Sequence, residues 1–98
     1  MKLESAITKE ITRLQSEYEG VHFLKVHGGA MQRRGEPDLI VCVHGQFVAM
    51  EVKRPGRKPT DLQTRRLNQW SEAGAISCVV TSKQEARKVI EDAINHRS

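Results

Sequence analysis

Asp38, Glu51 and Lys53 are the residues of this chain whose types and spacing could do chemistry. Successive side chains of an extended strand alternate faces, so in Glu51-Val52-Lys53 the acid and the base share one face and Val52 points to the other. The run Gly45-Gln46-Phe47-Val48-Ala49-Met50 ahead of them reads as the same strand, entered through a His44-Gly45-Gln46 turn, and Asp38-Leu39-Ile40-Val41-Cys42-Val43 reads as its hairpin partner. Folding that hairpin back sets Asp38, at the start of the first strand, beside Glu51 and Lys53 near the end of the second. Hard cations such as Mg²⁺ take oxygen ligands, commonly one or two carboxylates with water and substrate phosphate completing the shell. Asp38 and Glu51 would hold such an ion, which polarises a phosphoryl oxygen and lowers the pKa of a bound water. Lys53 would orient that water or offset charge developing on the phosphate. The competing reading is a solvated strand face, since a D…ExK pattern by itself is common in a chain this charged. The chemical reading is favoured because the acid and the lysine close a strand otherwise built from Phe47, Val48, Ala49, Met50 and Val52. The expected activity is the cutting of nucleic acid.

Charge placement agrees with that expectation. Sixteen basic residues against 12 acidic give a net charge of +4 and a pI near 9.4, a lean toward a polyanion. Arg33 and Arg34 precede Gly35-Glu36-Pro37-Asp38, while Arg54, Arg57 and Lys58 follow Lys53, and Arg65 and Arg66 lie on the next helix. These cations flank the acidic centre as a phosphate-drawing rim would; the alternative is a scattered solvated surface. Cys42 and Cys78 lack metal-ligand spacing and read as small buried hydrophobes, and His22, His27, His44 and His96 carry no assigned chemistry. No apolar signal region follows Met1-Lys2-Leu3-Glu4 and no long apolar stretch occurs, so the expectation is an intracellular, cytoplasmic, soluble protein without membrane contact.

The elements that must position these residues follow from periodicity. Ile7, Ile11, Leu14 and Tyr18 form one stripe of a helix from about Leu3 to Tyr18, ended by Gly20. Glu4 flanks that stripe, either as a third carboxylate reaching the metal directly or through water, or as a first-turn acid on the helix dipole. Val21 to His27 reads as a strand, followed by Gly28-Gly29 and a polar loop through Arg34 that is expected to lie against substrate. After the hairpin, Pro55-Gly56-Arg57-Lys58-Pro59 bars both helix and ladder. Thr60 opens a helix to Ala73 with an apolar face of Leu62, Leu67, Trp70 and Ala73, and Gln63 near the middle of it. Gln63 fits a capping box with Thr60; as a polar group on the buried face it also fits a catalytic cavity, and that second reading is preferred. Ile76 to Thr81 reads as a central strand covered on both faces. Ser82-Lys83-Gln84-Glu85 reads as a second capping box, opening a helix striped by Ala86, Val89, Ile90, Ala93 and Ile94. The order αβββαβα implies an α/β fold, a mixed four-stranded sheet flanked by helices, over one domain spanning residues 1–98.

In this order and spacing, Glu4-Ser5-x-Ile7, Gly35-x-Pro37-Asp38, Glu51-Val52-Lys53 and the later Gln63 resemble the successive motifs of the PD-(D/E)xK nucleases, and within them the small VRR-NUC family. The resemblance runs over nearly the whole chain. It implies a restriction-endonuclease-like fold and phosphodiester hydrolysis dependent on Mg²⁺ or Mn²⁺. Asp38 and Glu51 would bind metal with the Val52 backbone carbonyl as a further ligand, Lys53 would be catalytic, and Glu4 and Gln63 would support the site. Stand-alone members, including phage ones, resemble Holliday-junction resolvases that act as dimers, so a homodimer cutting branched DNA such as four-way junctions is expected. A chain of 98 residues buries only roughly 60 to 65% of its unfolded surface, which also makes pairing with a second copy advantageous. Two other classes stay open: a non-cleaving DNA-binding module, against which the intact acidic set speaks, and a site-specific restriction-type endonuclease, which would need base-reading elements.

Overall fold

The computed structural model describes residues 2–28 and 33–96. The chain opens with α1 (Glu4–Thr12) and runs on through a tight 3₁₀ turn at Arg13–Glu17, so that Ile7, Ile11 and Leu14 are buried along one side. β1 (Val21–Lys25), β2 (Leu39–Val43) and β3 (Gln46–Val52) then form an antiparallel meander. α2 (Asp61–Glu72) carries the chain across to β4 (Ile76–Val80), which pairs parallel to β3, and α3 (Lys83–Asn95) closes the chain. The sheet order β1-β2-β3-β4 and the flanking helices give the expected mixed α/β architecture. The β2–β3 register is set by a two-residue turn in which His44 and Gly45 have φ of 50° and 89°. Left-handed conformations at both positions match the twist of the strands they join.

The two faces of the sheet differ. Val41, Val43, Val48, Met50 and Val52 point to the face that packs on α1 and α3, where Ile7, Ile11, Leu14, Ala86 and Ile90 complete the core. The opposite face carries Ile40, Ala49, Glu51 and Ser77, and α2 covers only its β3–β4 half, with Leu67 buried and the Ser77 hydroxyl donating to the Leu67 carbonyl at 2.7 Å. Over the other half Leu24 is 61% exposed, and at the start of β3 Phe47 is 53% exposed.

Three expectations are corrected. β4 is an edge strand, with Ile76 and Val79 more than a third exposed, because the crossover through α2 deposits it outside β3. The second capping box is only half formed: the Ser82 hydroxyl accepts from the Glu85 N–H, but the Glu85 carboxylate turns to the Thr81 N–H and hydroxyl at 2.6 and 2.8 Å. Cys42 and Cys78 are half-buried rather than buried, although burial still pushes the Cys78 thiol up to about 12 and leaves it an inert packing group. The polar loop expected against substrate lies partly outside the described residues, at 29–32. Among the described residues no helix is long and apolar enough to cross a membrane.

Candidate functional site

The hairpin does what its alternation requires. Leu39 pairs with Met50, so one step further along the ladder Asp38 stands opposite Glu51. Its position is pinned twice: the Asp38 carbonyl accepts from the Val26 N–H at 2.9 Å, and Asp38 Oδ2 accepts from the Val52 N–H at 2.8 Å. Lys53 is fixed by its own N–H, which donates to the Val80 carbonyl at 3.0 Å. Its Nζ lies 3.6 Å from Glu51 Oε2, with only 12% of the Lys53 side chain exposed. Asp38, Glu51 and Lys53 are thus brought together at one end of the sheet, on the face that α2 covers.

Glu51 is the chemically unusual member. It is an ionisable side chain only 2% exposed, and its Oε1 is buried without a hydrogen-bond partner. Burial first, and then the Asp38 carboxyl beside it, push Glu51 up to about 8, against the pull of Lys53. Two carboxylates this close cannot both ionise comfortably, and a buried oxygen without a donor is costly. A cation between them would relieve both penalties, so the donor set fits a hard divalent metal.

The supporting residues divide. Glu4 lies in the first turn of α1, half-buried, and its carbonyl accepts from the Thr8 hydroxyl at 2.9 Å. Among the described residues no three His, Cys, Asp or Glu side chains come together as a metal-holding group. Gln63 takes up its capping position on α2. Its Oε1 accepts from the Thr60 N–H at 2.8 Å while its own N–H donates to Thr60 Oγ1 at 3.1 Å. The capping box is therefore real, and only the amide nitrogen of Gln63 is left for other work. Of the basic residues, Arg34, Arg57, Lys58 and Arg65 are exposed, whereas Arg54 and Arg66 are half-buried. Arg66 Nε donates to the Arg34 carbonyl at 3.0 Å, and Arg33 pairs with Glu36 at 3.3 Å.

These contacts reveal a support that spacing did not disclose. The Gly35-Glu36-Pro37 segment leading to Asp38 is strapped to α2 by Arg66 and by the Trp70 indole N–H, which donates to Glu36 Oε1 at 3.1 Å. Gly35 has φ +81°, and a Cβ there would sit 2.7 Å from Leu62 Cγ, so the segment needs glycine both for its turn and for its close approach to the helix. The only sequence signal was the Gly-x-Pro-Asp motif itself; Trp70 and Leu62 read merely as an apolar helix face.

No protein-family model matches the sequence, and no curated protein does. Solved structures do. One described as a "VRR_NUC domain" superposes with a TM-score of 0.70 at 26% identity, covering 97% of each chain. Together with the site's ordered motifs, this likeness supports a VRR-NUC family assignment. A second structure, a "VRR_NUC domain protein", is 17% identical with a TM-score of 0.75, over 97% of this chain and 91% of that one, and supports the fold. Assignment to VRR-NUC implies nuclease activity at the level of the family and a restriction-endonuclease-like architecture.

Proposed function

We propose that this chain is a divalent-metal-dependent endonuclease that hydrolyses DNA phosphodiester bonds, selecting branched DNA such as four-way junctions by shape. The observation that carries the reading is buried Glu51 beside half-buried Asp38, with its unpartnered Glu51 oxygen and Lys53 at 3.6 Å. Asp38, Glu51 and the Val52 carbonyl would hold Mg²⁺ or Mn²⁺, which when bound polarises the phosphoryl oxygen and makes its water a better nucleophile at neutral pH.

The chain's own residues supply positioning and charge. Asp38, tied to the Val52 N–H, keeps one carboxylate oxygen aligned along the strand. Glu51 would have to be deprotonated to hold a cation, since ligands must be deprotonated. Lys53, largely buried and held by Glu51, stands ready to donate to a phosphate oxygen as negative charge grows, where a desolvated ammonium acts more strongly than in water. Glu4 would act through water, and the free amide of Gln63 would line the cleft. Arg33, Arg34, Arg54, Arg57, Lys58, Arg65 and Arg66 would draw the backbone in, making binding steeply salt-dependent. A junction needs two nicks on strands related by a two-fold axis, so a C₂ homodimer is the working unit in this reading.

Cleavage of a panel of single strands, linear duplexes, flaps and four-way junctions, with Mg²⁺ or Mn²⁺ and with chelator, tests it. Metal-dependent cutting that favours branched substrates is expected. Binding without cutting in either metal would leave only a DNA-binding module.

A further inference from the structure

Beyond the carboxylates, the face of β3 that bears Glu51 and Lys53 ends in an aromatic cleft. Side chains two apart share a strand face, which puts Phe47 in line with Ala49, Glu51 and Lys53. Phe47 is 53% exposed although it is the second residue of a strand whose remaining five are buried. Trp70 on α2 faces it, and the two rings wall a cleft of about 410 Å³ floored by Gly45, Gln46, Gly74 and Ala75. A second cleft of about 210 Å³ opens on the other side of Trp70, between it, Gln69, Glu36 and Arg33. The chain has four aromatic residues besides histidine, and half of them stand here.

Trp70 is also pre-set. Its indole N–H donates to Glu36 Oε1 at 3.1 Å, and Glu36 is neutralised in turn by Arg33 at 3.3 Å. The ring is therefore oriented before any ligand arrives, which lowers the ordering cost of binding. The Arg33 side chain, paired with Glu36 and 62% exposed, lines the second cleft. In the first, the combination of aromatic side chains and backbone polar groups is the chemistry that receives an unpaired base. From Phe47 to Glu51 is four strand residues, about 13 Å at roughly 3.3 Å each, or about four base rises of 3.4 Å.

We infer that the Phe47–Trp70 cleft takes an unpaired nucleobase of the substrate, a few nucleotides from the bond held at Asp38 and Glu51. The ligand class rests on the nuclease reading above. The base would stack on Phe47 and against Trp70, so the enzyme would prefer DNA carrying unpaired nucleotides near the cut, such as an open junction or a flap, over blunt duplex.

Trp70 is the chain's one tryptophan, so its fluorescence reports the cleft directly. In chelator, where nothing is cut, titration of the full chain with oligothymidylate should quench Trp70 emission. Phe47→Ala should weaken oligothymidylate binding by between about five- and 150-fold, the span of one lost stacking contact, and change blunt-duplex binding less than twofold. Phe47→Tyr should restore binding. Because Phe47 is half in solvent, the alanine variant is expected to fold, which its melting curve verifies. Absence of quenching, unchanged oligothymidylate binding by Phe47→Ala, or equal losses for single strand and blunt duplex would each overturn the inference. So would a Phe47→Ala chain that changes from dimer to monomer in light scattering while its single-strand binding stays intact, for the face would then belong to a second copy. A chain that stacks bases as described and yet cuts nothing with metal would sink the nuclease reading and leave this one standing.

Discussion

Glu51→Gln should make this protein more stable, and increasingly so as pH rises. The substitution keeps shape and volume and removes the charge that burial opposes. In the unfolded chain Glu51 ionises near its ordinary value of 4.5, whereas in the folded chain it holds its proton up to about 8. Below 4.5 both states are protonated and nothing is lost. Between the two values the unfolded state alone releases the proton, so folding stability falls as pH rises, and above 8 it levels off. The linkage withholds roughly 1 kcal/mol at pH 5 and roughly 3 kcal/mol at pH 7 from the parent, and nothing from the glutamine variant. Any constant effect of the substitution, including the altered contact with Lys53, cancels between the two pH values. The advantage of Glu51→Gln should therefore grow by roughly 2 to 3 kcal/mol from pH 5 to pH 7, or roughly 10 to 20 °C in melting temperature for a domain of this size. Thermal melts of both proteins at the two pH values, in chelator, provide the measurement. Parallel curves would refute the argument that Glu51 is destabilised by burial and by Asp38.

Other expectations follow from the same geometry. Mg²⁺ or Mn²⁺ should raise the parent's melting temperature by mass action and leave Glu51→Gln and Asp38→Asn unmoved, and metal affinity by calorimetry should climb with pH up to about 8 as Glu51 loses its proton; equal metal stabilisation of all three proteins would show that the ion binds elsewhere. Gly35→Ala, at φ +81° and facing Leu62 Cγ at 2.7 Å, should cost upward of about 1 to 2 kcal/mol from the left-handed backbone alone and should reduce cleavage through displaced Asp38, read by a chemical melt and an initial rate. Thr60→Ala, which removes the α2 cap seen at 3.1 Å, should cost about 1 kcal/mol in a urea melt while lowering cleavage less than Gly35→Ala does.

What could be seen in the sequence was what depends on neighbours along the chain. The β2–β3 hairpin was legible because two apolar runs joined at His44-Gly45 read as paired strands, and the two-residue period of a strand then sets Glu51 and Lys53 on one face. The stripes of α1 and α3 were legible for the same reason. β4 was misplaced because Ile76-Ser77-Cys78-Val79-Val80 has the composition of a buried strand, and nothing local tells a centre from an edge once a crossover intervenes. Gln63 carried two readings that spacing alone could not separate; the cap forms with Thr60 in an extended backbone. The strap of Trp70 and Arg66 across Glu36 and Arg34 joins residues more than thirty positions apart and leaves no periodic trace. The pairing of Phe47 with Trp70 was hidden likewise, because each ring taken alone reads as core.

The most direct test of the central claim is the rate at which the parent and Glu51→Gln cut a four-way junction in Mg²⁺ or Mn²⁺, with binding to the same junction measured in chelator. On the proposed reading of Asp38 and buried Glu51, the parent cuts, the variant does not, and both bind alike because the basic rim is untouched. A Glu51→Gln protein that folds, binds and cuts at the parent's rate would contradict the account.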